Sequence, residues 1–484
     1  MKKIARTGGP IQVLCDAPDD RGGAWSPNGT IAFSDRGGNA GLSRVSESGG
    51  TAAPVTTLTP GRSDGHRYPQ FLPDGKHFLY LHLTGVADIA GVYVASLDGS
   101  PPVRLLPGQD NALYMGSPRA RVGHLLFRRQ DKLMAQTFDP EKRELTGPVF
   151  AIAEGVGQGE NTGLGAFSVS AAGSLASGSG TVTRVEMVWI DRSGRRQSSV
   201  SATADINTFS LSRDQRRLAL SIGQGITGSE SQIWIQAMLE GSPSKLTFDP
   251  APGWESPVWS PQSSGVAYAT LNLAGLPTYE IRRKVLSGAG AEETLARLDS
   301  VAYLWDWSPD DKFLVYSTAH SKVNDLWMLP LDGKRQPVAL TKSPGEEYYG
   351  QVSPDGRWLA YATEDRGRMQ IFVQPIPATG MLRLISKDGG TMPRWRHDGK
   401  ELYFRGADGQ LMTVAITTGS GPTADFEHGA PQPLFGPIPT VGNLPRFTYQ
   451  PASDGQRFLV AAPVASATPP VTVILNWQNG NRSR

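Results

Sequence analysis

The arrangement most suggestive of catalysis is residues 61–65 (GRSDG), which satisfy G-x-S-x-G and are followed by His66. In a serine hydrolase this motif places the serine on a sharp turn between a strand and a helix. Here residues 55–59 and 68–72 both have the composition of strands, so the motif joins two strands. The sequence therefore indicates a turn-forming loop and predicts no catalytic serine.

Metal-dependent and acid–base chemistry are equally poorly supported. The seven histidines include neither HExxH nor His-x-His. His77 and His82 lie five residues apart on one predicted strand and would point to opposite faces. Adjacent acidic residues such as 292–293 and 346–347 diverge in an extended chain, which disfavours paired carboxylates. We therefore expect no cofactor, no metal and no enzymatic activity. A propeller enzyme acting on a small molecule or glycan is the alternative.

A second set of residues could bind rather than catalyse. Its members are mostly Tyr, Trp and Arg, the residue types that dominate interface hot spots. They lie in the segments that lead into the first strand of each repeat described below. The candidate binding residues are His66, Arg67, Tyr68, Tyr114, Trp254, Glu255, Tyr303, Trp305, Tyr348, Tyr349, Arg394 and Arg446.

A repeated turn organises nearly the whole chain. Its clearest copy is Ser353–Gly356 (SPDG), in which Pro presets φ, Asp accepts local backbone hydrogen bonds and Gly tolerates positive φ. Successive copies begin 42 to 56 residues apart. The ten turns begin at Ser26, Leu72, Ser117, Ser170, Ser212, Ser260, Ser308, Ser353, Arg396 and Ala452.

Each turn is flanked by short apolar segments typical of strands. Residues 313–316 follow one turn, and residues 325–331 and 337–341 supply a third and a fourth strand. Four antiparallel strands at this period describe one blade of a β-propeller. The predicted fold is therefore all-β, a propeller built of about ten four-stranded repeats. In a propeller the loops entering each first strand gather at the mouth of the central channel, where we expect the candidate binding residues to meet a ligand.

Two modules are predicted within this array. Residues 1–180 form an N-terminal propeller-like region of about four blades, and residues 181–484 form a six-bladed propeller. One continuous ring of ten blades is the alternative. Residues 2–14 copy the third and fourth strands of a blade, so we expect the first region to begin in mid-blade and to be incomplete. The tryptophans beside the turns are expected in the core between blades. They are Trp25, Trp259, Trp307, Trp358 and Trp395.

Composition excludes several classes of protein. The 484 residues include 39% hydrophobic and 19% charged residues, too few charges for a charge-driven disordered chain. The 56 Gly and 37 Pro residues indicate many turns. A net charge of +2 offers no basic field for nucleic acid. The single cysteine, Cys15, cannot form an internal disulfide, and no apolar stretch approaches a membrane span or a signal peptide.

The turn units carry a family resemblance. Residues 259–261 (WSP) and 307–310 (WSPD) resemble the TolB-like beta-propeller repeats, which are related to the WD-repeat class. Residues 66–75 (HRYPQFLPDG), 393–396 (PRWR) and 471–477 (VTVILNW) are similar to the C-terminal propeller region of bacterial receptor-type Ser/Thr protein kinases. The first resemblance covers nearly the whole chain and implies fold more than function.

The kinase resemblance implies a sensor or interaction module on the extracytoplasmic, periplasmic side. The chain itself lacks the glycine-rich loop, the His-Arg-Asp loop and the Asp-Phe-Gly motif of a kinase. The function expected from the sequence is therefore non-catalytic binding of a protein or peptide by a monomer, with no nucleic-acid partner and no membrane span in this chain. A truncated fragment without an independent role is the remaining alternative.

Overall fold

A computed structural model describes the chain except at 18–20, 35–39, 59–64, 85, 87, 118–119, 159–162, 171–172, 179–183, 202–203, 224–230, 239–241, 249–255, 273–277, 287–291, 320–323, 342–344, 420–425, 441–445, 465–470, 476 and 478–484. Every regular element of the described residues is a β-strand, and every strand pairing is antiparallel. No helix long and apolar enough to cross a bilayer occurs among the described residues. The all-β prediction is therefore confirmed.

The chain divides into two compact units, Met1–Val182 with Ala467–Arg484, and Thr183–Ser466. The C-terminal segment thus belongs with the first unit, whereas the sequence analysis placed it with residues 181–484. Its strand pairs with Leu175–Ser177, a partner almost 300 residues away that no local pattern in the sequence reveals.

The first unit contains three four-stranded sheets and two smaller ones. Its strands before the second unit are β1 Lys2–Lys3, β2 Gln12–Val13, β3 Gly23–Trp25, β4 Thr30–Ser34, β5 Leu42–Ser46, β6 Ala53–Pro54, β7 Gly65–Phe71, β8 His77–Leu83, β9 Gly91–Ser96, β10 Val103–Pro107, β11 Ala112–Ser117, β12 Ala120–Arg129, β13 Lys132–Asp139, β14 Glu144–Ala153, β15 Phe167–Val169 and β16 Leu175–Ser177. Strands β3–β6, β7–β10 and β11–β14 form the complete sheets, and β1 pairs with β2 alone.

The described residues of the second unit form six sheets. Its strands are β17 Val185–Asp191, β18 Arg196–Ser199, β19 Ile206–Leu211, β20 Arg217–Ile222, β21 Gln232–Ala237, β22 Ser244–Lys245, β23 Val258–Trp259, β24 Gly265–Asn272, β25 Thr278–Val285, β26 Glu293–Leu298, β27 Ala302–Trp307, β28 Phe313–Ala319, β29 Asn324–Pro330, β30 Val338–Ala339, β31 Glu347–Val352, β32 Trp358–Asp365, β33 Arg368–Pro375, β34 Arg383–Leu384, β35 Gly390–Trp395, β36 Glu401–Gly406, β37 Leu411–Thr418, β38 Phe426–His428, β39 Gln432–Phe435, β40 Tyr449–Pro451 and β41 Arg457–Pro463. Strand β42 Thr472–Ile474 follows and completes the sheet of β15 and β16 in the first unit.

The sixth sheet of the second unit joins both ends of that unit. Its order is β18-β17-β41-β40, so the outer strands come from the start of the unit and the inner strands from its end. Strand β17 pairs with β41 over seven consecutive residues, from Val185 opposite Pro463 to Asp191 opposite Arg457. This pairing unites the two ends of the unit in one blade and so closes the ring of six blades.

The predicted turns form as tight hairpins. The backbone N–H of Gly356 donates to the Ser353 carbonyl at 2.8 Å, and the same bond recurs in the turns at Ser26, Leu72, Ser170, Ser212, Ser260, Ser308, Arg396 and Ala452. The fourth position has positive φ whether it is glycine or not, as in Gly356 at 77° and Gln215 at 56°. The turns at Ser117 and Ser170 each include two positions outside the described residues.

The core lies within and between the sheets. Second strands of the blades are buried on both faces, as in β32, where the six residues from Trp358 to Thr363 are buried. Trp259, Trp307, Trp358 and Trp395 are buried as expected. Trp25 is not a core residue, since 52% of its surface is exposed. Its indole N–H donates to Glu47, and Lys3 lies over its ring, so it covers the surface of its own sheet instead.

Candidate functional site

A cavity lies on the axis of the six-sheet unit. Its wall includes residues of the first strand of every sheet, namely β19, β23, β27, β31, β35 and β40. It extends along these strands to the turns that follow them. The lining residues used below are Ser210, Arg213, Val258, Trp305, Asp306, Gln351, Arg394, Arg446, Phe447 and Gln450.

One sequence position supplies a wall residue from every blade. It is the second residue before each turn, and in all six blades this residue lines the cavity. The six residues at this position, in blade order, are Ser210, Val258, Asp306, Gln351, Arg394 and Gln450. The ring therefore carries one anion, one cation, three polar groups and one apolar group.

Several ring side chains hydrogen-bond to the neighbouring blade. The Gln450 Oε1 atom accepts the Leu211 backbone N–H at 2.8 Å. The Gln351 amide donates to the Trp305 carbonyl at 2.8 Å, and the Trp395 indole donates to the Gln351 carbonyl at 3.1 Å. These bonds join first strands that belong to separate sheets, so the cavity wall is held in one geometry.

Asp306 is the carboxylate of the ring. It accepts the Trp307 backbone N–H and the Val352 backbone N–H, each at 2.9 Å. An Arg213 terminal nitrogen lies 3.9 Å from Asp306 Oδ1 and donates to the Trp307 carbonyl at 2.6 Å. Burial raises the pKa of Asp306, and this effect outweighs the opposing charge of Arg213 and the two backbone donors.

Arg394 is the cation of the ring. Its Nη1 atom donates to Gln351 Oε1 at 2.7 Å, and its guanidinium carbon lies 3.5 Å from the centre of the Phe447 ring. Its Nε atom is buried and has no hydrogen-bond partner among the described residues. No described carboxylate pairs with it within 4.0 Å. Burial lowers the pKa of Arg394 to about 10, although the charge of Asp306 acts in the opposite direction.

An aromatic cluster adjoins the guanidinium of Arg394. Trp305 lies 5.0 Å from Tyr349 and 5.8 Å from Phe447, measured between ring centres. Tyr303 stacks on Trp305 at 5.8 Å, and Tyr348 meets both at 6.3 Å. These rings form a rigid apolar surface at the end of the cavity where the entry segments lie.

Strained backbone accompanies this surface. Tyr349 has a φ of 62° and Met392 a φ of 59°, and both occupy the same position of their blades, four residues before the turn. Each lies in a β-bulge where the strand register shifts. Positive φ is unfavourable for residues with side chains, and such strain concentrates at functional sites.

The structure brings some of the predicted binding residues together. Trp305, Arg394 and Arg446 line the cavity, and Tyr303, Tyr348 and Tyr349 belong to the adjoining cluster. Trp254 and Glu255 lie outside the described residues. The motif at 61–65 also falls almost entirely outside them, with Gly65 alone described.

The remaining predicted residues lie in the first unit. His66 is buried, its Nδ1 atom lies 2.7 Å from the Thr56 hydroxyl, and its ring packs 4.6 Å from that of Tyr80. Arg67 and Tyr68 follow His66 on β7. Tyr114, on β11, is buried, and its ring lies 5.8 Å from that of Phe138. In the structure, His66 and Tyr114 therefore contribute to packing within their sheets.

Asp306, Gln351 and Gln450 were not among the predicted binding residues. The predicted residues were chosen mainly from the segments that enter each first strand, and the strands themselves were assigned to packing. A usable signal existed, because the position two residues before each turn varies between charged, polar and apolar types while the position directly before the turn is apolar in all six blades. Positions that vary within a repeated structure are candidates for a specific role such as ligand binding.

The charges of the cavity favour an anion. Among the described lining residues three arginines, Arg213, Arg394 and Arg446, face one carboxylate, that of Asp306. A low-dielectric wall strengthens the field of this excess positive charge. No group of three or more His, Cys, Asp or Glu suited to a metal ion occurs in the described part of the chain. The arrangement can hold a ligand by charge, hydrogen bonding and aromatic contact.

Comparison with known proteins gives limited matches. No protein-family model matches the chain. An uncharacterized protein of Agrobacterium fabrum is 25% identical over 200 residues, which covers 33% of this chain and 68% of that protein. The chain is also similar to the structure of putative TolB from Agrobacterium tumefaciens, with 19% identity over 58% of this chain and 99% of that one and a TM-score of 0.43. The crystal structure of TolB from Acinetobacter baumannii is 12% identical, covers 72% of this chain and 79% of its own, and gives a TM-score of 0.39.

Proposed function

We propose that this protein is a non-catalytic binding module that recognises a protein or peptide through the axial cavity of its six-sheet unit. The observation that carries the proposal is the cavity wall itself, to which all six blades contribute and in which Trp305 and Arg394 lie side by side with Phe447. Tryptophan and arginine in desolvated pockets are the usual anchors of protein interfaces. A wall of paired strands changes little on binding, which limits the ordering cost.

An enzyme is the weaker candidate. Among the described lining residues Asp306 is the one carboxylate, so a pair of carboxyl groups for acid–base chemistry is not formed there. Each of its two oxygens accepts one backbone N–H, so Asp306 helps to hold neighbouring strands in place. A sensor role outside the cytoplasm, as the kinase resemblance implies, is the finer form of the same proposal.

Filling the cavity tests the proposal directly. Ser210 lines the cavity on β19, and Ser210→Trp would occupy its space. Ser244 is exposed on the outer strand β22, so Ser244→Trp is a matched control. Peptides would be selected from a random display library on the immobilised full chain, and binding to both variants would then be measured by calorimetry, with circular dichroism to confirm folding.

The expected result is at least a tenfold loss of affinity for Ser210→Trp and unchanged affinity for Ser244→Trp. Failure to select any binder, or full binding by a folded Ser210→Trp protein, would contradict the proposal. Tyr348→Ala and Tyr349→Ala are expected to lower the affinity for the same peptides, because these two rings pack against Trp305.

A further inference from the structure

Arg394 is a partly buried cation, with a buried Nε atom, and its immediate partners are uncharged. Its contacts are the Gln351 amide oxygen and the face of Phe447, and its Nε atom has no hydrogen-bond acceptor among the described residues. A buried charge normally pairs with an opposite charge, since desolvation without a partner is costly. The nearby Asp306 acts on Arg394 through its charge but makes no direct pair with it, because no Asp306 oxygen lies within 4.0 Å of the guanidinium nitrogens.

The space around Arg394 suits a carboxylate in particular. A guanidinium presents N–H donors in a planar fork that matches the two oxygens of a carboxyl group. Gln351 and Phe447 hold this fork from one edge and from one face, which fixes its orientation. Arg213 and Arg446, in the same wall, add positive charge that Asp306 only partly offsets.

We propose that the axial cavity of the six-sheet unit is a carboxylate-binding site in which Arg394 pairs with the acid group of the ligand. The inference rests on the proposed function, and it names the chemical feature that a recognised peptide must carry, an Asp or Glu side chain or a terminal carboxylate. A free small acid shares this chemistry and is the second possible source. The aromatic cluster of Tyr303, Trp305, Tyr348, Tyr349 and Phe447 would contact the apolar part of the ligand beside its acid group.

The test compares a carboxylate with its neutral isostere on the full-length chain. The probes are N-acetyl-glutamate N-methylamide, N-acetyl-glutamine N-methylamide and glutarate, titrated by saturation-transfer NMR. We expect the glutamate compound to bind at least tenfold more tightly than the glutamine compound, the scale of a charged hydrogen-bonded contact. Equal binding of these two would overturn the inference. If the capped glutamate binds more tightly than glutarate, the carboxylate recognised is that of a peptide. If glutarate binds more tightly, it is that of a free acid.

Variants then locate the site. Arg394→Gln is expected to abolish the preference for glutamate over glutamine, and Arg394→Lys to restore part of it. Arg216 is exposed in the same unit, so Arg216→Gln is the matched control and should keep the preference. Retention of the preference in a folded Arg394→Gln protein would overturn the inference.

Asp306→Asn gives a second, independent measurement. It removes the negative charge of the wall while its amide oxygen can still accept a backbone N–H. We expect it to tighten carboxylate binding about threefold through loss of repulsion. A purely structural role for the Asp306 and Arg394 charges predicts no gain, and weaker binding by Asp306→Asn would contradict the inference.

The two proposals fail in different ways. If selected peptides lose affinity for Ser210→Trp but show no preference for acidic residues, the cavity binds peptides and the carboxylate inference is wrong. If small carboxylates bind through Arg394 but no peptide is selected, the carboxylate site exists and the peptide-binding function is wrong.

Discussion

Burial shifts the pKa values of two charged residues of the cavity, Asp306 and Arg394. Asp306 is 18% exposed at its side chain and has its pKa raised by burial, whereas Arg394 has its pKa lowered to about 10 by the same cause. Both shifts mean that the charged form is destabilised in the folded protein. Ionisable side chains whose charged form is destabilised by burial in a cavity are candidates for function rather than for stability.

Asp306 should therefore make stability depend on pH in a defined direction. Its folded pKa lies above its ordinary value of 3.8, so the folded state takes up a proton first as the pH falls. The free energy of unfolding contributed by Asp306 should rise as the pH falls through the raised pKa toward the ordinary one. Urea unfolding from neutral to acidic pH measures this contribution. It is the difference in the free energy of unfolding between the unmodified protein and Asp306→Asn. A difference that is flat or moves the other way with pH would show that Asp306 is not destabilised by burial.

Substitutions at the fourth position of the turns are expected to change stability in opposite directions, depending on whether glycine is removed or introduced. Gly356 has a φ of 77° and no atom within 4 Å of an added Cβ, so Gly356→Ala should cost about 1 kcal/mol through backbone strain alone. Gln215 occupies the equivalent position with a φ of 56°, so Gln215→Gly should stabilise by about 0.5 kcal/mol once the entropy of glycine is deducted. Thermal and urea unfolding of the two variants check both values. Destabilisation by Gln215→Gly would mean that its side-chain contacts outweigh the strain.

These turns show what the sequence could predict at this scale. Pro, Asp and Gly in Ser353–Gly356 have preferred dihedral angles that are properties of the residues themselves, so the hairpin followed from local chemistry. The orientation of Arg394 did not, because it depends on Gln351 and Phe447, which lie 43 and 53 residues away. The exposure of Trp25 likewise depends on Glu47 and Lys3.

At the scale of elements, the ring of six blades is secured by its sixth sheet. The turn between β17 and β18 carries Arg192, whose two terminal nitrogens donate to the Glu401 carboxylate at 3.1 and 3.0 Å. The same guanidinium donates to the Gly455 carbonyl at 2.9 Å. It thus connects the fifth and sixth sheets beside the β17–β41 pairing.

The Arg192–Glu401 pair should stabilise the six-sheet unit measurably. The side chains are 28% and 17% exposed, and a bidentate pair of this burial is expected to show a coupling of about 1–3 kcal/mol. A double-mutant cycle of Arg192→Met and Glu401→Gln measures it by urea unfolding. The exposed pair Lys312–Asp310, at 72% and 44% exposure, is the control and should couple by less than about 0.5 kcal/mol. Equal coupling in both pairs would refute a role for Arg192 in closing the ring.

The pH dependence of this pair has the opposite sign to that of Asp306. Burial raises the pKa of Glu401, but hydrogen bonds from Arg192 and Tyr403 together with the charges of Arg192 and Arg396 lower it overall. Its contribution to stability is therefore present above the ordinary value of 4.5 and lost as the pH falls through the lowered pKa. The coupling measured in the cycle should accordingly weaken in acid.

The positions of the strands were largely predictable from the sequence. Which strands pair with each other was predictable only in part. Turns at a period of 42 to 56 residues placed four strands in each repeat, since hairpin neighbours pair locally. The partners β17 with β41 and β16 with β42 join segments far apart in sequence. Nothing local specifies such pairs, and they follow from the need to cover the edges of the terminal blades.

At the scale of the molecule, the chain contains two units of different completeness. Thr183–Ser466 has six sheets around one cavity, and the remainder has three four-stranded sheets with one of two and one of three strands. A six-bladed module and an incomplete one were predicted from the sequence. Whether they behave as independent modules stays a prediction, to be tested by limited proteolysis with mass spectrometry of the stable products.

The most direct test of the account is hydrogen–deuterium exchange of the full chain with and without a peptide selected on it. The account predicts that bound peptide slows exchange in the first strands that line the cavity, above all Ala302–Trp307 and Gly390–Trp395, which carry Trp305 and Arg394. The same experiment with Ser210→Trp should show no such protection. Protection confined to outer strands of the blades, or to the unit of Met1–Val182, would contradict the claim that this protein binds its partner through the axial cavity.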